Sequence, residues 1–149
     1  MASAANAPRR SPRSGLIALL AACLIVAGAL RATLPTSVFT LEWSHSIEHT
    51  RWQETYAVVD GRIAVTRARI EGMGAGMEAG ERATFDGSGW SWTPTIAPLA
   101  EVALTLSPYT ADYQLCAGDR CRSLYAWTGV TPGTTAVVDI RACKRAARP

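Results

Sequence analysis

Asp60-Gly61 narrows what this chain can fold into more than any other feature, because it stands between two runs of alternating apolar residues, 52–59 and 62–70. An Asp-Gly pair accepts the positive φ angles of a two-residue type I′ turn, whose twist suits two antiparallel strands. A two-residue turn sets Val59 opposite Arg62, Val58 opposite Ile63, Tyr56 opposite Val65 and Glu54 opposite Arg67. Residues 38–47 alternate in the same way, with Phe39, Leu41, Trp43, His45 and Ile47 on one face, the pattern of a half-buried strand. Residues 83–92 read as a second hairpin, and 101–106, 112–116, 122–127 and 134–143 as further short strands. About nine short, regularly punctuated strands predict an all-β domain, a small antiparallel sandwich or a partly open barrel. No amphipathic helix is expected after Arg31.

Upstream, Arg9, Arg10 and Arg13 precede GLIALLAACLIVAGAL over residues 15–30, a run without a charge. A helix there would span roughly 24 Å at ~1.5 Å per residue, short of a hydrocarbon core of about 30 Å. Basic residues followed by such a run form the layout of a secretory signal. The expected division is therefore 1–30 as an apolar signal peptide or membrane anchor helix and 31–149 as one extracytoplasmic β domain. That domain would lie in the periplasm or on the extracytoplasmic face of the inner membrane. Ala27-Gly28-Ala29 offers a small-residue cleavage site, and Leu20-Ala-Ala-Cys23 has the look of a lipoprotein site.

The formal charge of +3 comes from 15 Lys and Arg against 12 Asp and Glu. Setting aside the three arginines of the leader balances the rest, and no basic face interleaved with aromatics points to nucleic acid. With 48% hydrophobic and 18% charged residues, the composition is globular. Beyond the leader remain Cys116, Cys121 and Cys143. Cys116 and Cys121 flank a tight Gly-Asp-centred turn and could bridge in an oxidising compartment. Cys143 could pair with either, and an odd count leaves one thiol free. A four-residue spacer with no histidine nearby speaks against zinc, and no cofactor motif is found.

His45-Ser-Ile-Glu-His49 matches the order of an inverted zinc-peptidase motif, yet that chemistry needs a helix. On a strand Glu48 points away from both histidines. Glu54 could meet His45 across adjacent strands, or pair with Arg67 as the hairpin register suggests. The Gly-rich stretch 72–80 lacks the spacing of a phosphate-binding motif and reads as a turn or an anion-binding nest. Trp90 and Trp92 share one strand face, as a platform for a sugar ring or as core.

Taken in order, FTLEWSHSIE over 39–48, ETYAV over 54–58, Asp60-Gly61 and GAGM over 74–77 resemble the bacterial family called domain of unknown function 1850. The resemblance marks His45, Ser46, Glu48, Glu54, Gly74 and Gly76 as the motif positions. It implies a small exported β domain without enzymatic activity, associated with a tripartite ATP-independent periplasmic transporter. Its partner would be a permease or solute-binding subunit, with the membrane as a further contact if the leader is uncleaved. The alternative is an extracytoplasmic metal-binding protein or hydrolase using His45, Glu48 and Glu54. Arg51-Trp52 and Glu78 depart from the family pattern, which there favours proline.

Overall fold

The computed structural model describes residues 18–45, 49–72 and 79–146. The larger of two antiparallel sheets, sheet B, is built mainly by chain neighbours. It contains β3 (Val38–Ser44), β4 (Arg51–Val59), β5 (Arg62–Glu71), β6 (Thr84–Phe85), β7 (Gly89–Trp92), β9 (Gln114–Ala117) and β10 (Arg120–Ser123). Their order across the sheet is β10-β9-β3-β4-β5-β7-β6. The smaller sheet A draws on the chain ends. It contains β1 (Ala18–Val26), β2 (Ala29–Thr33), β8 (Glu101–Leu106) and β11 (Ala136–Ala146), in the order β2-β1-β11-β8.

One core joins the two sheets. Ala22, Leu24 and Val26 of β1 and Val138 and Ile140 of β11 pack in a single cluster with Phe39, Leu41, Tyr56, Val58, Ile63 and Val65 of sheet B. The all-β expectation holds, in the two-layer form, with no closed barrel. Asp60 (φ 49°) and Gly61 (φ 73°) form the expected turn, and Val59 pairs with Arg62 and Val58 with Ile63. Gly89 is required for packing, since a Cβ there would lie 2.4 Å from the carbonyl oxygen of Ile70.

Three expectations are corrected. Over its described part, the apolar run is strand and not helix: Ala18–Val26 pairs with β11 on one side and β2 on the other. A run with no polar positions carries no period, so it fits a strand covered on both faces as well as it fits a helix. Ala27 (φ 50°) and Gly28 (φ 76°) make the β1–β2 turn where a cleavage site was expected. No helix among the described residues is long and apolar enough to cross a membrane.

The cysteine arithmetic changes with it. Cys23 on β1 bridges Cys143 on β11, and Cys116 bridges Cys121, which lies directly opposite it in the β9–β10 ladder. No cysteine is left free. Finally, Leu124–Thr128 is a short helix, α1, where a strand had been expected to continue. The Ser123 hydroxyl accepts from Ala126 N–H as its N-cap, and Gly129 closes it at φ 69°. The Trp127 indole N–H donates to Leu115 O at 2.8 Å, tying the helix to sheet B.

Candidate functional site

On the inner face of sheet B, pleating places alternate residues of each strand side by side with those of its neighbours. The register carries one row across five strands: Trp43 on β3 pairs with Trp52 on β4, Trp52 with Ile70 on β5, Ile70 with Trp90 on β7, and Trp90 with Phe85 on β6. At about 4.8 Å between strands, the row is roughly 19 Å long. The Trp43 and Trp52 rings stack at 6.1 Å, and Phe85 tilts against Trp90 at 5.2 Å. Tyr113 packs on Trp43 at 6.0 Å. Ile70 is buried, whereas the three tryptophans are half-buried and Phe85 is exposed. Ile70, Trp52, Trp90 and Phe85 lie outside the main core cluster, so the row extends past the packed centre and reaches an exposed side chain at Phe85.

His45 and Glu54 flank this row on opposite sides. His45 follows β3; its N–H donates to Thr50 O at 2.9 Å, and its ring tilts against Trp52 at 6.3 Å. A small hollow of about 200 Å³ opens beside it, lined by Trp43, His45, Thr110 and Tyr113. Glu54 stands in the next rung inward, opposite Leu41 and Ala68. Its carboxylate accepts a hydrogen bond from the Tyr56 hydroxyl two residues along the same face. Burial, and then this bond to Glu54, push the Tyr56 phenol well above the usual tyrosine range. Burial also raises Tyr113. The phenol stays a donor, and the carboxylate keeps it as a partner.

The expected Glu54–Arg67 pair does not form. β5 carries one extra residue: Tyr56 pairs with Val65 and Thr55 with Arg67, leaving Thr66 unpaired, so Glu54 meets Ala68 instead. Such a bulge shifts every later residue by one position. The apolar phase change from Ile63 and Val65 to Ala68 and Ile70 is its signature in the sequence.

Nor do His45 and Glu54 meet. The positions opposite Glu54 and adjoining His45 differ by four residues along β3, about 13 Å at ~3.3 Å per residue, and the Trp43–Trp52 pair lies between. Among the described residues, no group of three His, Cys, Asp or Glu side chains is placed to hold a metal ion. Ser46, Glu48, Gly74 and Gly76 lie outside the described residues.

Three polar atoms of the site are buried without a hydrogen-bond partner among the described residues: His45 Nδ1, Thr50 Oγ1 and Trp52 Nε1. Such atoms in one cluster call for an explanation, because leaving each unpaired costs roughly 1–3 kcal/mol. The indole N–H can only donate, so it needs an acceptor. Sequence reasoning found His45 and Glu54 but missed Trp52 and Tyr113 as parts of the site. The facing of Trp43 and Trp52 depends on the β3–β4 register, which no turn signal marks.

A family model described as a domain of unknown function (DUF1850) matches residues 39–124. This segment runs from β3 into the first residue of α1 and contains both flanks of the aromatic row. No curated protein and no solved structure matches the chain.

Proposed function

Since the chain belongs to the DUF1850 family, we propose that it is a non-enzymatic binding module exported to the periplasmic side of the inner membrane, serving a tripartite ATP-independent periplasmic transporter. The observation that carries the binding reading is the half-buried aromatic row, flanked by His45 and by the Glu54–Tyr56 pair, inside the family-matched segment. Half-buried aromatic side chains of this kind are enriched where proteins meet partners. The three buried polar atoms without a hydrogen-bond partner among the described residues add direction to it. Two disulfides fit an oxidising compartment outside the cytoplasm. The transporter association rests on the family resemblance of the motif residues. The non-enzymatic reading, like the transporter association, rests on that resemblance, while His45 and Glu54 stand on opposite sides of the Trp43–Trp52 pair.

The test is complementation of transport by Trp52→Ala, His45→Ala and Glu54→Gln variants, with each variant's abundance measured alongside. The binding reading expects folded, abundant variants that fail to support transport. Transport that falls only in proportion to abundance would assign these residues to folding alone.

A further inference from the structure

A second hollow lies beside the far end of the aromatic row. The β5 bulge leaves Thr66 and Arg67 both exposed. With Arg82, Thr84, Ser91 and Trp92 they line a groove of about 390 Å³. An adjoining hollow of about 500 Å³ shares Arg82 and Thr93 with it and is bordered by Glu81. Thr66 is held by donating to Thr55 O at 3.1 Å.

The arginines here differ from those elsewhere on the domain. Arg51 lies 3.3 Å from Glu42, Arg69 lies 2.5 Å from Asp86, and Arg141 lies 2.7 Å from Glu101. Among the described residues Arg67 reaches only a hydroxyl, donating to Ser91 Oγ at 3.0 Å. Arg82 has neither an ion pair nor a hydrogen-bonded partner among the described residues. Its backbone is left-handed at φ 59°, a conformation that costs a non-glycine residue and concentrates at functional sites. Two guanidinium groups with no carboxylate in the groove lining make a site for an oxyanion. The Thr66 and Thr84 hydroxyls donate to Thr55 O and Ser91 O, and Ser91 Oγ accepts from both Arg67 and Arg69, which leaves acceptor lone pairs on the threonines and the Ser91 O–H for a hydroxylated carrier.

We propose that this groove binds a small polyhydroxylated molecule bearing an oxyanion, with Arg67 and Arg82 on the anionic group and the threonine and serine hydroxyls on the carrier. The site adjoins the aromatic row on β6 and β7 but uses none of the row's own side chains, so R67Q and R82Q leave the row itself intact.

The test is titration of the isotope-labelled, disulfide-intact protein, followed by amide resonances, with galacturonate, glucose 6-phosphate, glucose and inorganic phosphate as probes. Saturable shifts centred on Arg67, Arg82, Thr84 and Ser91 are expected for galacturonate or glucose 6-phosphate, and which of them binds identifies the carboxylate or the phosphate as the anionic group. Inorganic phosphate should bind roughly tenfold more weakly, and glucose should not bind. R67Q and R82Q should each weaken binding about tenfold or more, the loss of one charge-assisted hydrogen bond. R82G separates recognition from folding: it should abolish binding while raising the melting temperature, because glycine adopts the left-handed backbone without strain. Shifts confined to other residues, glucose binding as well as its phosphate, inorganic phosphate binding as tightly as the sugar phosphate, or undiminished affinity in R67Q/R82Q would each overturn the proposal.

Discussion

The two sheets of this domain are made in opposite ways. Sheet B is assembled largely from hairpins, so most of its strands pair with chain neighbours, and it carries the aromatic row and all of the family-matched segment's strands except β8. Sheet A pairs β1 near the start of the chain with β11 near its end, and a disulfide spans 120 residues between them. Local pairing needs little loop closure, whereas distant pairing must offset a larger entropy before any contact is made. Sheet B therefore presents the site, and sheet A closes the core behind it.

The strongest challenge to this division is removal of β1. A chain beginning at Ala29 loses the strand between β2 and β11, together with Leu24 and Val26 of the core. It should show no cooperative thermal transition. A sharp melt close to that of the full chain would mean that sheet B stands alone.

Next in size is Cys23→Ser with Cys143→Ser. A crosslink closing so long a loop stabilises by about 4–5 kcal/mol in the chain-entropy picture, which urea unfolding would read. In the unreduced protein, alkylation should find no free thiol. The local bridge should matter less: Cys116→Ser with Cys121→Ser closes only a short hairpin and should cost about 2 kcal/mol. Equal losses from the two pairs would erase the contrast between local and distant closure.

The smallest effect concerns Tyr56. Its phenol titrates higher in the folded chain than in the unfolded one. The stability this provides is complete below the unfolded tyrosine value of about 10 and is lost as pH rises toward the folded value. Tyr56→Phe should cost about 1 kcal/mol at neutral pH and flatten the decline in stability above pH ~10. A decline of undiminished slope in the variant would assign that titration to another group.

Sheet B was legible because its pattern is local. Asp60-Gly61 fixed one hairpin, and the alternation of Phe39, Leu41 and Trp43 fixed the inward face of β3. Glu54 was placed on the correct face but given the wrong neighbour, because a counted register has no room for the extra Thr66. β1 was illegible for a different reason. Its small and apolar side chains suit hydrocarbon and a sheet interior equally, and what decides between them is β11, more than a hundred residues away. The same distance hid the partner of Cys143. The aromatic row fell between these cases: each tryptophan was visible, but their alignment depends on three successive ladders.

The pairing of β1 with β11 also makes completion a matter of timing. Synthesis makes β1 before the other described strands, yet its β11 edge has no partner until residues 136–146 arrive. For the whole of that interval β1 has only β2 beside it, and its other edge stays unpaired. Docking of β11, sealed by oxidation of Cys23 and Cys143, is then the step that joins the two distant halves of sheet A.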